Sequence, residues 1–91
     1  MFYAISYDIC DDRRRLKVAK VLKDFGERVQ RSVFEANLEA AELQRLRGRV
    51  EKHLNLAEDS LRIYPLCASC VPRVEVMGLG VVTQDPDFII I

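Results

Sequence analysis

The chain has 91 residues, of which 49% are hydrophobic and 31% charged, and 14 basic residues balance 14 acidic ones. This length allows one hydrophobic core, so we expect a single domain over residues 1–91 and exclude a two-domain enzyme. The net charge of zero excludes overall basic character as the reason for any nucleic-acid binding.

Several features bear on where the protein works. No stretch approaches the roughly 20 apolar residues that span a bilayer. The N-terminus enters an apolar segment without a preceding basic region, which is not typical of a signal peptide. The three cysteines are an odd number, which favours free thiols in a reducing compartment. We therefore expect a cytoplasmic protein.

The first third of the chain predicts a strand followed by a helix. Residues 2–9 alternate in polarity and are rich in aromatic and β-branched residues, which favours a central strand with Tyr7 and Asp8 on opposite faces. Asp11 or Asp12 can cap the next element, and Gly26 can end it. The apolar positions between them recur at near-helical spacing: Leu16, Val18, Val21, Leu22 and Phe25.

The rest of the chain alternates in the same way. Residues 28–36 predict a second strand followed by Asn37 as a possible cap, and residues 39–54 a second helix with Leu43, Leu46, Val50 and Leu54 as its apolar stripe. Residues 60–67 predict a strand that Pro65 restricts to a sheet edge or a strand end. Residues 73–77 predict a short fourth strand, and residues 81–82 and 88–91 are apolar segments of the tail.

Two element orders are compatible with these patterns. The order is β-α-β-β-α-β if residues 28–38 fold as a hairpin, and β-α-β-α-β-β if they form one strand. Either order indicates an α+β sandwich, with two helices on one face of an antiparallel sheet. The hydrophobic content is high for this length, which is equally compatible with a well-filled core and with an apolar surface that a second copy buries.

Charge is concentrated near the first strand. Residues 13–31 contain eight lysines or arginines and two acids, whereas residues 32–91 contain six basic and nine acidic residues. Asp8 stands at the end of the first strand, beside this basic segment. A carboxylate next to clustered cations suits a hard divalent cation that faces a polyanion such as a phosphodiester backbone.

A family resemblance is carried by motifs that occur in order along the chain. They are Tyr7-Asp8-Ile9, Asp11-Asp12, Arg15 and Lys17, Arg28-Val29-Gln30, Ser32-Val33-Phe34-Glu35 and Asp59-Ser60-Leu61-Arg62-Ile63-Tyr64. From residue 1 to about residue 66, the chain resembles the small CRISPR-associated nuclease of spacer acquisition, the second of the two core adaptation proteins.

The resemblance implies an assembly. It implies a ferredoxin-like fold in which the strand after the second helix completes the sheet, and a homodimer in which the C-terminal segment pairs with the partner's sheet. Some members of the family cleave single-stranded RNA or double-stranded DNA. The family also serves as the central, non-catalytic spacer of a complex with the first core adaptation protein, an integrase.

The resemblance also implies roles for individual residues. Asp8 falls at the position of the metal-ligating aspartate, so the two Asp8 of a dimer would share one Mg²⁺ or Mn²⁺. Arg15, Lys17 and Arg28 fall at positions that handle nucleic acid. The guanidinium group of an arginine can bind two phosphate oxygens at once, so Arg15 and Arg28 would make the tighter contacts. The segment with Ser32 and Phe34 would lie near the cleft of the dimer.

Simpler interpretations stand beside these roles. Asp8 could cap the turn that follows it, and Asp11 and Asp12 could cap the helix or support a metal. Tyr7 and Phe34 could be ordinary packing residues. Ser32 lacks a nearby histidine to act as a base, because His53 is predicted on the solvent side of the second helix.

The Cys67-Ala-Ser-Cys70 motif has the spacing of one arm of a zinc site. A closed site would need Cys10 and His53, or thiolates from a second chain, so a loop of reduced thiols is the simplest interpretation. A thioredoxin-like role is disfavoured, since the pair follows a strand and does not open a predicted helix.

Two other functions remain open at this stage. One is a ferredoxin-like interaction module without chemistry, or an RNA-directed nuclease of the toxin type. The other is a small metal or redox carrier built on the cysteine loop.

Overall fold

The computed structural model describes residues 1–80. The elements are β1 (Phe2–Asp8), α1 (Asp12–Lys23), β2 (Glu27–Gln30), β3 (Val33–Asn37), α2 (Ala40–Glu51), β4 (Ser60–Leu66) and a short 3-10 helix (Val71–Arg73). Residues 28–36 therefore form a hairpin, which selects the β-α-β-β-α-β order. The predicted tail segments at 81–82 and 88–91, and their pairing with a partner, lie outside the described residues.

The four strands form one antiparallel sheet in the order β2-β3-β1-β4. Central strand β1 pairs with β3 and with β4, and Ile5 lies opposite Phe34 on one side and Ile63 on the other. This connectivity is that of the predicted ferredoxin-like α+β fold. Strand β4 lies at an edge, where the missing amide of Pro65 costs least.

Both helices pack on the same face of the sheet. The side chains that are almost completely buried come from both layers: Ile5, Val18, Leu22, Phe34 and Leu46. Most of the predicted stripe positions are buried, namely Val18, Val21 and Leu22 of α1 and Leu43, Leu46 and Val50 of α2. Leu54 lies beyond the end of α2 and is half-buried.

Leu16 was predicted to belong to the stripe of α1, but it is 69% exposed. Val18, Ala19 and Leu22 occupy the buried side of the helix, and Leu16 lies nearly half a turn away from the centre of that stripe. Ala19 packs in the core instead, because its small side chain fits close to the sheet.

The helix starts are capped by acidic residues. The Asp11 carboxylate accepts a hydrogen bond from the Arg14 amide at 2.9 Å, as predicted for α1. The predicted cap of α2 was wrong: Asn37 is the last residue of β3 and pairs with Phe2. Glu39 precedes α2 instead, and its amide donates to the Glu42 carboxylate at 2.9 Å.

The predicted strand at residues 73–77 was also wrong. The chain forms the 3-10 helix Val71–Arg73 there, and nothing in residues 74–77 is assigned to a strand. The Arg73 amide donates to the Cys70 carbonyl at 2.9 Å, and Pro72 has no amide to offer a neighbouring strand. Local turn bonds therefore replace sheet pairing.

The second face of the sheet is the one that the helices do not cover. Its residues alternate with the buried ones, so that Ala4 lies between Glu35 and Tyr64, and Ser6 between Val33 and Arg62. We call this surface the open face. Asp8 lies at its end.

Within the described residues, no helix is long and apolar enough to cross a membrane.

Candidate nucleic-acid interface

An open depression of about 520 Å³ lies where the end of β1 meets α1 and the β2–β3 turn. Five of the seven predicted site residues line it: Tyr7, Asp8, Arg15, Arg28 and Ser32. Arg31 also lines it, together with Ile9, Leu16 and Ala19. The fold thus brings a carboxylate and three guanidinium-bearing residues from separate segments to one place.

Asp8 is the last residue of β1 and is paired with Ser60 of β4. Its side chain is exposed, and within residues 1–80 it has no hydrogen bond or ion pair. Asp11, and not Asp8, caps the following helix. The carboxylate of Asp8 is therefore available to a ligand.

A single chain provides few metal ligands near Asp8. Among the described residues there is no group of three or more His, Cys, Asp or Glu side chains that could bind a metal ion. An ion bound by Asp8 must draw its other ligands from water, from a phosphate or from a second chain.

Arg28 is placed by two aromatic residues. The Arg28 guanidinium lies over the ring of Phe34, 5.3 Å from its centroid, and donates to the Tyr7 hydroxyl at 3.4 Å. The Tyr7 hydroxyl in turn donates to the Arg31 carbonyl at 3.4 Å. The Phe34 side chain is fully buried, and its ring packs 6.3 Å from that of Tyr7. Tyr7 and Phe34 are thus core residues that also orient a cation.

The other predicted cations are placed differently. Arg15 donates to the Ile9 carbonyl at 2.8 Å and pairs with Asp12, so part of its guanidinium is already used. Lys17 is exposed on α1 but does not line the depression. Arg31 was not predicted as a site residue. The basic count of residues 13–31 included it, but only the hairpin turn brings it beside Asp8.

Ser32 is half-buried in the hairpin turn, and its carbonyl accepts a hydrogen bond from the Tyr7 amide at 3.1 Å. His53 does not line the depression and lies beyond the end of α2. The arrangement gives Ser32 a role in joining β1 to the turn and provides no histidine base beside it.

An ion pair between the partly exposed Arg14 and the buried Asp59 stabilises the segment after Asp8. The Arg14 guanidinium donates to both carboxylate oxygens of Asp59, at 2.9 and 3.2 Å, and the Asn55 amide adds a third bond at 2.9 Å. These bonds, with that of Arg14 first, hold the pKa of Asp59 below its ordinary value. These bonds join the start of α1, which follows Asp8 in the sequence, to the residue that precedes Ser60, the strand partner of Asp8.

Comparison with known proteins gives consistent matches. The sequence model of CRISPR associated protein Cas2 matches residues 1–74. A relative from Chloroflexus aurantiacus, named CRISPR-associated endoribonuclease Cas2 1, is 51% identical over 81 residues, which are 88% of this chain and 87% of that protein.

Solved structures agree with the sequence match. The crystal structure of Streptococcus pyogenes Cas2 at pH 6.5 has a TM-score of 0.78 at 34% identity, covering 86% of this chain and 100% of that one. A chain from a partial Cas6-RT-Cas1–Cas2 complex has a TM-score of 0.77 at 26% identity, covering 99% of this chain and 98% of that one. The expected resemblance is confirmed: the chain belongs to the CRISPR associated protein Cas2 family.

Proposed function

We propose that this protein is a metal-dependent endonuclease, active as a homodimer, that hydrolyses phosphodiester bonds and acts in CRISPR spacer acquisition. The observation that carries this proposal is the position of Asp8, exposed and without a side-chain partner in residues 1–80, in the same depression as Arg15, Arg28 and Arg31. The name of the Chloroflexus relative, an endoribonuclease, supports the reaction class.

The residues present fit a hard divalent cation. Carboxylate oxygens are the ligands that Mg²⁺ and Mn²⁺ prefer, and Mg²⁺ is commonly bound through one or two carboxylates with water and phosphate completing its shell. Two Asp8 side chains, one from each copy, would satisfy that requirement. When bound, the ion would polarise a phosphate and lower the pKa of a bound water.

The protein's own side chains would bind and orient the substrate. Arg28 presents a planar fork of donors, and its position over Phe34 reduces the freedom it loses on gripping a phosphate. Arg31 would contact a neighbouring phosphate along the same strand of nucleic acid. Arg15, already bonded to Ile9 and Asp12, would contribute mainly its charge. Lys17, outside the depression, would reach only a substrate that extends along α1.

The partner that we propose is the Cas1-type integrase. The support is the match to a chain of a partial Cas6-RT-Cas1–Cas2 complex over 99% of this chain. In such an assembly the dimer would bridge integrase subunits, and the basic residues beside Asp8 would bind the nucleic acid whether or not it is cleaved.

The decisive experiment replaces one carboxylate at a time. In Asp8→Asn, cleavage of single-stranded RNA and of double-stranded DNA in Mg²⁺ or Mn²⁺ should fall at least about a hundredfold, more than loss of a supporting group near a metal typically costs. Calorimetric titration with Mn²⁺ should show the loss of binding directly. The matched control is Asp11→Asn, which removes a charge three residues away and keeps a good helix cap.

Metal-dependent cleavage that persists in Asp8→Asn would contradict the assignment of Asp8. A spacer-acquisition assay in cells separates the two roles. If acquisition survives Asp8→Asn while cleavage is lost, the bridging role is the one required in cells.

A further inference from the structure

The loop after β4 carries two thiols that the proposed nuclease does not use. Cys67 and Cys70 are exposed free cysteines whose sulfur atoms lie 3.3 Å apart, and neither lines the depression around Asp8. We propose that they form a reactive dithiol site, in which Cys67 attacks a small-molecule disulfide such as oxidised glutathione and Cys70 then closes a disulfide within the loop.

The backbone places the two sulfur atoms together. The amides of Cys70 and Val71 both donate to the Cys67 carbonyl, at 2.9 and 3.1 Å. Cys67 and Cys70 are thus the ends of a four-residue turn, whose terminal Cα atoms lie within about 7 Å. Disulfides join Cα atoms roughly 4.4–6.8 Å apart, so closure needs rotation of two side chains and little movement of the backbone.

The surroundings give the two thiols different roles. Hydrogen bonds from the Ser69 hydroxyl, the Cys70 thiol and the amides of both residues lower the pKa of Cys67 to about 7. The pKa of Cys70 is raised, because its proton is shared with Cys67 and a charge on Cys67 opposes a second one. The best attacking thiol has a pKa near the ambient pH. Cys67 is therefore the attacking group and Cys70 the resolving one.

The chemistry balances as two exchange steps. The Cys67 thiolate forms a bond to one sulfur of the small disulfide and breaks its S–S bond, which releases one small thiolate. Cys70 then loses its proton to solvent and attacks the Cys67 sulfur, which releases the second. The protein is oxidised by two electrons, and the small disulfide is reduced to two thiols.

A metal site is the main competitor, and the described residues disfavour it in a single chain. Structural zinc needs four ligands, and residues 1–80 contain no cluster of three candidate ligand side chains.

The test uses the full chain with Cys10→Ser, which leaves the pair as its only thiols. The reduced protein is incubated with oxidised glutathione at pH 7, quenched with acid and weighed by mass spectrometry. We expect the loss of two hydrogen masses and no retained glutathione. With Cys70→Ser added, one glutathione should remain on Cys67. With Cys67→Ser added instead, oxidised glutathione should modify Cys70 roughly fivefold to tenfold more slowly than it modifies Cys67 in the Cys70→Ser protein.

Three results would overturn the proposal. Glutathione that stays on the protein with both thiols present would show that Cys70 does not resolve. Equal rates in the two single-thiol proteins would show that Cys67 is not the attacking group. Stoichiometric zinc in the purified protein, with thiols that react only after chelation, would show a metal site instead.

Discussion

The contact between Tyr7 and Arg28 is the clearest example of one side chain positioning another. The Tyr7 hydroxyl accepts from Arg28 and donates to the Arg31 carbonyl, both at 3.4 Å. At that length each bond is weak, but Tyr7 is buried and its ring is fixed against Phe34. Tyr7 therefore restricts the guanidinium without contributing charge to the interface.

This contact predicts a modest, specific effect of Tyr7→Phe. The packing against Phe34 remains, while loss of a bond worth about 0.5–1.5 kcal/mol should weaken binding of a labelled oligonucleotide twofold to tenfold. Fluorescence anisotropy at fixed salt measures the change. Tyr3→Phe is the matched control, since Tyr3 does not line the depression. If Arg28→Ala weakens binding but Tyr7→Phe does not, the hydroxyl does not position the cation.

At the scale of elements, Gly26 lets β2 begin directly after α1. Its amide donates to the Leu22 carbonyl at 3.0 Å, so the chain turns back at once toward β3. A Cβ atom there would lie 2.2 Å from the Glu35 carbonyl oxygen and 2.7 Å from the Ala36 Cβ. The glycine was expected to end the helix. Its close approach to β3 is the stronger reason for it, and this approach also brings Arg28 to the depression.

Two glycines provide a matched pair of substitutions. Gly26→Ala should lower the free energy of unfolding by roughly 1–3 kcal/mol, because the backbone of β3 must move. Gly48→Ala should raise it by about 0.5–1 kcal/mol, since Gly48 lies within α2 and nothing lies within 4 Å of an added Cβ. Urea unfolding measures both. A Gly26→Ala protein as stable as the wild type would contradict the close approach of Gly26 to β3.

For the whole molecule, the open face is the feature that bears on assembly. The helices pack on the other side of the sheet, and the open face carries Ala4 and Ser6 at its centre with Asp8 at its end. If two copies meet through this face or its edges, two Asp8 carboxylates can approach one ion. In the proposed dimer, assembly and the metal site would therefore depend on the same surface.

Ala4→Arg tests this dependence. A long cation at the centre of the open face should convert the proposed dimer into a monomer in size-exclusion chromatography with light scattering, and the proposed metal-dependent cleavage should be lost with it. Gln44→Arg adds the same charge on the exposed side of α2 and should change neither property. A wild-type protein that is monomeric at micromolar concentrations would contradict the shared metal site, as would a cleaving monomer of Ala4→Arg.

Local patterns were sufficient for most of the elements. Alternation in residues 2–9, most apolar positions of the two helices and the restriction that Pro65 places on β4 act over a few residues, and the structure agrees with them. The pattern did not distinguish one strand at residues 28–36 from a hairpin. It also placed Leu16 in the core, but the rotation of α1 exposes this side chain. It predicted a strand at residues 73–77, but hydrogen bonds within the turn form a 3-10 helix at the start of that segment.

The chain's residues alone were enough to indicate the α+β class, a carboxylate at the end of the first strand and a basic segment beside it, because each depends on neighbours in sequence. Only the packed structure determined that Arg28 and Arg31 would stand beside Asp8, that Tyr7 and Phe34 would orient one of them, and that Asp59 would brace the loop. Apart from the contact between Arg28 and Phe34 within the hairpin, these contacts join residues 20 or more positions apart, and their geometry follows from how β1, α1 and the hairpin pack together.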